Sequence, residues 1–106
     1  MSTTPSGPDH LLTELTDLPA TRLTDTAALS AAVIAAGAAL GLSAYGTPVI
    51  REGPMGCAVA LLGHRGHLVL HADPAAGRCL LDILIPGNTS PERGLDVMIR
   101  RLGARP

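Results

Sequence analysis

The side chains best suited to chemistry lie at alternate positions of one short segment, residues 65–73. They are Arg65, His67, His71 and Asp73. Alternate residues of a β-strand face the same side of a sheet, so a strand here would present them together. An imidazole with an ordinary pKa of about 6.5 can accept and release a proton at neutral pH, and a guanidinium binds a carboxylate or phosphate through its planar fork. The segment therefore predicts acid–base chemistry on a small anionic molecule, with His67 and His71 as candidate catalytic residues.

A binding site for such a molecule should lie along the same strand. We expect Arg65 to hold the anion and to line one cavity with both histidines. The remaining candidate substrate-binding residues are Gly66, Asp73 and Glu52. No metal site is expected, because the spacing from His67 to His71 on a strand separates the two imidazoles by about 13 Å at roughly 3.3 Å per residue. His64 has the opposite parity and is expected in an exposed turn.

Asp82 lies in the apolar segment Leu-Leu-Asp-Ile-Leu, residues 80–84. We expect a buried strand there, in which a carboxylate needs a partner or a raised pKa, and structural pairing is favoured over catalysis. Cys57 and Cys79 are expected to be free thiols that pack as small hydrophobic side chains. A single disulfide is the alternative if their strands are neighbours.

The composition argues against several classes of function. The net charge of −1 offers no basic surface for a nucleic-acid backbone. Lysine is absent, which removes the usual amine for a Schiff base with pyridoxal phosphate or a ketone. Tyr45 is the only aromatic residue, so recognition of a base by stacking has almost no support. We therefore expect a small metabolite as the ligand and no nucleic acid.

The 106 residues predict one small domain, residues 10–106, preceded by a flexible arm at residues 1–9 that is rich in Ser, Thr, Pro and Gly. This arm has no basic start and leads into no apolar core, so it is not expected to be a signal or transit peptide. The longest apolar run, residues 27–42, is short for a membrane span. We expect a cytoplasmic protein without membrane contact, and a small core without Phe or Trp favours a homodimer.

Hydrophobic patterning predicts the order β-α-β-β-β-β-α. The predicted strands cover residues 10–16, 43–51, 57–62, 67–71 and 79–85, with a hairpin turn at residues 63–66. After a loop through Pro19, one helix is predicted from a cap at Thr24 or Asp25 to about residue 40, and a second from a cap at Ser90 to residue 102. Short connections between the later strands imply a mainly antiparallel sheet with both helices on one face, which is a two-layer α+β sandwich.

The sequence from Gly66 to Asp82 resembles a motif of the S-adenosylmethionine decarboxylase family. The family motif is Glu-Ser-His-x-Ser-x-His-Thr-Trp-Pro-Glu, followed by five residues and Val-Asp, and it aligns without a gap on both histidines, Pro74 and Asp82. Residues 10–15 are similar to the family's opening His-x-x-x-Glu-Leu strand, and the helix at residues 90–103 falls where the family has its last one. The resemblance implies the fold of the small bacterial members, which commonly form dimers.

This sequence departs from the motif at the positions that carry out the family's reaction. Its members convert the serine of Glu-Ser-His into a pyruvoyl cofactor by cutting the chain, but this sequence has Gly66 at that position, preceded by Arg65. Pro86 occupies the position of the family's catalytic cysteine, and Ala58 that of a serine that assists processing. The resemblance therefore implies a divergent, unprocessed member that has no pyruvoyl group and no other cofactor.

Two functions fit these residues. In the first, the inherited pocket serves a cofactor-free enzyme or binder of a small polar or anionic metabolite, with His67 and His71 as proton carriers. In the second, the chain is a catalytically inactive partner that pairs with an active family member in polyamine biosynthesis and regulates it. The expected assembly is a homodimer in the first case and a heteromer with the active paralogue in the second. A structural alternative treats the histidines as remnants of the parent fold.

Overall fold

The computed structural model describes residues 9–87 and 89–103, and its main element is one antiparallel sheet of five strands. The strands are β1 Asp9–Leu15, β2 Val49–Gly53, β3 Gly56–Gly63, β4 Gly66–Asp73 and β5 Arg78–Ile85. The helices are α1 Ala20–Leu23, α2 Thr26–Leu40 and α3 Glu92–Leu102. The predicted order of elements is confirmed, except that the short helix α1 lies where the sequence predicts a loop.

The strands are arranged in the order β1-β5-β4-β3-β2. Consecutive hairpins join β2 through β5, whereas β1 pairs with β5, the strand most distant from it along the chain. In this register Leu12 lies opposite Asp82, and Asp82 lies opposite Val69 on its other side. The beginning of the chain therefore lies beside the last strand.

One face of the sheet carries the two longer helices and the hydrophobic core. Alternate strand residues on this face are buried: Val59, Leu61, Leu68, Leu70, Leu81 and Ile83. The helices contribute buried side chains to the same cluster: Leu29, Val33, Leu40, Met98 and Leu102. The predicted two-layer α+β sandwich with both helices on one face is confirmed.

The other face of the sheet, called the open face below, carries side chains of the opposite parity. The register places these residues on it: His10, Leu12, Glu14, Val49, Arg51, Ala58, Ala60, Leu62, His67, Val69, His71, Leu80, Asp82 and Leu84. Its four most exposed hydrophobic side chains are Leu12, Val49, Leu62 and Leu80. The open face thus combines an exposed apolar surface with both candidate histidines.

Helix α2 begins and ends where the sequence predicts. The Asp25 carboxylate accepts a hydrogen bond from the backbone N–H of Ala28, which satisfies one of the free donors of the first turn. Gly41 ends the helix in the left-handed conformation, with φ of +70°. Among the described residues, no helix is both long and apolar enough to cross a membrane.

Helix α3 begins slightly later than predicted. Pro91 occupies the position before the first helical residue, and the Ser90 hydroxyl does not cap the backbone but donates to the Glu92 carboxylate at 2.5 Å. This hydrogen bond lowers the pKa of Glu92. Glu92 in the first turn and two arginines in the last turn complement the helix dipole.

The boundaries of β2 and of the N-terminal arm differ from the prediction. β2 begins only at Val49, because Pro48 lacks an N–H for the sheet, and before it Ala44 forms a single bridge with Gly63. Asp9 already pairs with Ile85 in β1, so the strand includes the last residue of the predicted arm. The rest of that arm, residues 1–8, lies outside the described residues.

Candidate functional site

The two candidate histidines lie on β4 and face the open side of the sheet, as their shared parity predicts. They lie toward opposite ends of the strand, with His67 opposite Leu84 and His71 opposite Leu80. At roughly 3.3 Å per residue, their backbones are about 13 Å apart. Within one chain, each histidine therefore belongs to a separate environment.

His67 belongs to a group of three polar residues, the His10–Asp82–His67 cluster. His10 on β1 has its Nε2 atom 2.6 Å from Asp82 Oδ1, within hydrogen-bonding distance. The Nε2 atom of His67 lies 3.4 Å from the same oxygen, but the geometry is not that of a hydrogen bond. One carboxylate oxygen thus lies next to two imidazoles, and either of them, when protonated, forms an ion pair with it.

Asp82 is less buried than the sequence predicts. Its side chain keeps 37% exposure because it points to the open face, while its neighbours Leu81 and Ile83 point into the core. Burial alone would raise the pKa of Asp82, but the hydrogen bond with His10 and the proximity of His67 outweigh it and lower the pKa below its ordinary value. The prediction that the Asp82 carboxylate is buried is wrong. The predicted pairing is present, since His10 is its partner.

Sequence spacing does not identify His10 as part of this cluster, because 72 positions separate it from Asp82. The available signal is its place at the start of the first strand, on the same face as Leu12 and Glu14. Only the pairing of β1 with β5 brings that face beside Asp82.

His71 borders a depression of about 400 Å³ at the other end of the open face. Arg51, Ala58 and His71 are neighbours across β2, β3 and β4 in the register of the sheet. The small Ala58 side chain leaves space between the two longer ones. Pro54, Met55 and Cys57 form part of the wall. We call this feature the Arg51–His71 depression; sequence spacing does not point to Arg51 as a member of the site.

Arg65 is placed differently from the sequence-based expectation. It occupies the tip of the β3–β4 hairpin, where it is exposed and has φ of +61°. The predicted turn at residues 63–66 is present, and His64 is exposed in it, with Nδ1 3.3 Å from the Tyr45 hydroxyl. The expectation that Arg65, His67 and His71 line one cavity is not met within one chain, since the two histidines are already too far apart.

Asp73 is engaged by its own neighbours. Its Oδ2 atom lies 3.6 Å from Arg78 Nε, and its Oδ1 accepts a hydrogen bond from the backbone N–H of Ala76 in the β4–β5 turn. Arg78 also lies 3.7 Å from Glu14. These contacts support the turn and partly neutralise the carboxylate.

Glu52 borders a second cleft, of about 410 Å³, between the β2–β3 turn and the start of α2. Thr24, Thr26 and Cys57 also line it. Burial, followed by the nearby Glu52 carboxylate, raises the pKa of the Cys57 thiol. A raised pKa keeps the thiol protonated and therefore a poor nucleophile.

Cys79 is a buried free thiol, and burial raises its pKa to about 11. Ala72 on β4 pairs with Cys57 on one side and Cys79 on the other, so the cysteines lie two strands apart. At about 4.8 Å between strands, their backbones are roughly 10 Å apart, which is too far for a disulfide.

Comparisons with known proteins give a consistent result. The family model for S-adenosylmethionine decarboxylase matches residues 9–106. The structure is similar to the crystal structure of the adenosylmethionine decarboxylase from Aquifex aeolicus VF5, with a TM-score of 0.84 and 17% sequence identity, over 97% of this chain and 86% of that chain. No curated protein matches the sequence. At this identity the structural match concerns the fold alone.

Proposed function

The chain belongs to the S-adenosylmethionine decarboxylase family, and we propose that it works without the pyruvoyl group of that family, as a cofactor-free enzyme or binder of a small anionic metabolite. In this proposal the protein is not cut after synthesis. The family fold supplies the sheet on which the site is built, and the chemistry comes from side chains that the chain still has.

Gly66 carries this proposal. By resemblance to the family motif it stands where the cofactor-forming serine would be, and it has no hydroxyl with which to attack the preceding carbonyl group. A Cβ atom added to Gly66 would lie 2.5 Å from the carbonyl oxygen of Leu84 and 3.1 Å from Leu42 Cδ1, so the backbone of β5 leaves no room for a side chain. The residues around this position do not fit a pyruvoyl group.

The candidate proton carriers are His67 and His71. His67 lies beside the Asp82 carboxylate, with its Nε2 atom 3.4 Å from Oδ1. His71 is exposed and borders the Arg51–His71 depression, where a ligand can reach it. Arg65, Gly66, Asp73 and Glu52 stay candidate binding residues, although Asp73 is engaged by Arg78.

The open face supports a homodimer. A five-stranded sheet with strands of about seven residues presents roughly 500 Å² in projection, at about 4.8 Å between strands and 3.3 Å per residue. A standard interface removes about 800 Å² of accessible surface from each partner, so this face, once covered by a second copy, is of suitable size. Its exposed Leu12, Leu62 and Leu80 are the side chains that such an interface would bury.

The alternative function uses the same face for a different partner. An unprocessed chain could regulate an active family member by taking the place of one copy in that enzyme's dimer. The missing serine and the exposed apolar face both support this alternative. It predicts that the chain, when produced together with a processed paralogue, associates with the paralogue in preference to itself.

We also propose that the protein is cytoplasmic. Cys57 and Cys79 are free thiols, as is usual for proteins in a reducing compartment.

Native mass spectrometry tests the proposal. The intact protein would be screened against a panel of small carboxylates and phosphates, and then co-purified with a processed family member. Binding of an anion by the uncut chain supports a cofactor-free binder, and turnover of that anion lost in His71→Ala supports an enzyme. If no anion binds and the paralogue captures the chain, the regulatory alternative replaces the first proposal.

A further inference from the structure

We propose that Arg51 and His71 bind the carboxylate of a small aliphatic acid in the depression above Ala58. The inference rests on the proposed function and names the substrate class of its site. It assigns to Arg51 the anion-binding role that the sequence suggested for Arg65.

The register of the sheet places Arg51 and His71 on either side of Ala58. Arg51 lies opposite Ala58, and Ala58 lies opposite His71, so all three side chains project from the same face in one row across β2, β3 and β4. Adjacent strands are about 4.8 Å apart, which separates the backbones of Arg51 and His71 by roughly 10 Å. A carboxylate fits between a long guanidinium side chain and an imidazole over this distance, because the alanine between them fills little of the space.

The arrangement of charges around the depression leaves the Arg51 guanidinium able to bind an anion. Among the described residues, no carboxylate lies within 4.0 Å of the Arg51 guanidinium, whose Nη1 donates only to the carbonyl oxygen of Ile50. The nearby Asp73 contacts Arg78, which also reaches Glu14. Glu52 borders the depression, but its strand parity directs its side chain to the helix side of the sheet. An incoming anion therefore meets an uncompensated guanidinium.

The residues that line the depression indicate which chemical group the ligand carries besides its carboxylate. Beside the two polar side chains, the described residues that line it include Pro54 and Met55 but no Phe, Tyr or Trp. An aliphatic chain can pack against the proline and methionine side chains, whereas a planar base would find only the His71 imidazole to stack on. An arginine fork also suits a carboxylate, and the imidazole can donate a hydrogen bond to it in either protonation state.

Titration of the full-length protein with hexanoate, followed by ¹H–¹⁵N NMR, tests this site. We expect shifts of the backbone amides of Ala58 and His71, and binding about tenfold tighter than that of acetate, since acetate lacks the apolar body. Hexylammonium, which reverses the charge, should not bind there. Arg51→Gln should weaken hexanoate binding by about tenfold or more. Arg93→Gln, the matched control at an exposed position of α3 on the helix side of the sheet, removes the same charge and should have little effect, and His71→Ala should weaken binding as Arg51→Gln does.

Four outcomes would overturn the inference. Equal affinity for acetate and hexanoate would rule out an apolar subsite, and equal losses in the two arginine variants would indicate a general charge effect. Binding of another anion from the panel that is unchanged in Arg51→Gln would place the ligand elsewhere, and in that case the proposed function survives while this site fails. Absence of any anion binding would contradict both.

Discussion

The His10–Asp82–His67 cluster shows how a polar group is accommodated on a sheet that is otherwise apolar. The carboxylate of Asp82 lies in an apolar segment of the sequence, yet in the fold it faces away from the core residues Leu81 and Ile83 and has an imidazole on either side. The hydrogen bond from His10 compensates for the partial loss of water. The arrangement gives the open face one ionised carboxylate at neutral pH.

Replacement of Asp82 by Asn should lower the free energy of unfolding near pH 6 by about 0.5–1.5 kcal/mol, a range reduced by the partial exposure of the pair. The folded-state pKa of Asp82 is lowered, so its contribution is present above the ordinary pKa of 3.8 and is lost as the pH falls through the lowered value. Urea unfolding at about pH 6 and about pH 3 measures this, and the difference between wild type and variant should shrink at the lower pH. A difference that stays constant would show that the charge of Asp82 has no role.

In the proposed function, Gly66 prevents the start of the family reaction, because the motif resemblance places it where the cofactor-forming serine would be. We expect the chain to stay intact on expression and Gly66→Ser to remain uncut, because the added side chain would collide with the Leu84 carbonyl and the surrounding positions have also changed. Denaturing mass spectrometry of both proteins measures this directly. Wild-type fragments that meet at residue 66 would contradict the proposed function, whereas a pyruvoyl-blocked fragment from the variant alone would show that processing has been lost through this one residue.

At the scale of elements, the β2–β3 hairpin positions the arginine side of the Arg51–His71 depression. Its strands carry Arg51 and Ala58, and its turn borders both clefts. Gly56 closes the turn with φ of +148°, in contact with the backbone of Ala72 on β4. The geometry of the depression therefore depends on one glycine.

Gly56→Ala should destabilise the protein by about 2 kcal/mol or more, since its methyl group would overlap the Ala72 carbonyl oxygen and its backbone conformation is one that alanine rarely adopts. Gly53→Ala, on the other side of the same turn, is the matched control, because the nearest atom to an added Cβ is 4.0 Å away. Thermal or urea unfolding of both variants measures the effect. Equal stabilities would indicate that the turn relaxes freely.

At the scale of the whole molecule, the uncovered sheet is the main feature that one chain leaves without a partner. Helices bury one face, while the open face keeps leucines in contact with water. Burial of such an apolar face would stabilise the protein. A small domain benefits from this, because a short chain by itself buries only a limited share of its surface. A second copy would meet this need and would also enclose the two histidine environments.

Leu62→Lys should weaken self-association more than tenfold, because a lysine buried in place of this leucine would lose much of its hydration. Leu62 is 51% exposed on the open face, and Ile34→Lys is a matched control at 48% exposure on α2. Sedimentation equilibrium at micromolar concentration measures the dimer of each variant. A wild-type protein that is only monomeric, or equal effects of both substitutions, would count against the proposed interface.

Much of this fold follows from local sequence patterns. Alternation of apolar residues predicts the strands, and Asp25 with Gly41 marks the ends of α2, since caps and turns depend on residues close in sequence. The predicted start of β2 is too early, because Gly46 and Pro48 oppose a regular strand and Ala44 forms only an isolated bridge with Gly63 of β3. The resemblance to the family motif likewise identifies the family and the fold from the order of residues alone.

The composition of the candidate site was decided only by the tertiary structure. Strand parity correctly placed His67 and His71 on one face, but parity contains no information about which strand lies alongside. The pairing of β1 with β5 brings His10 to Asp82 across 72 positions, and the β2–β3–β4 register brings Arg51 to His71. These contacts depend on long-range pairing that is selected by burial of the whole core, so no local pattern around Arg51 or His10 could have specified them.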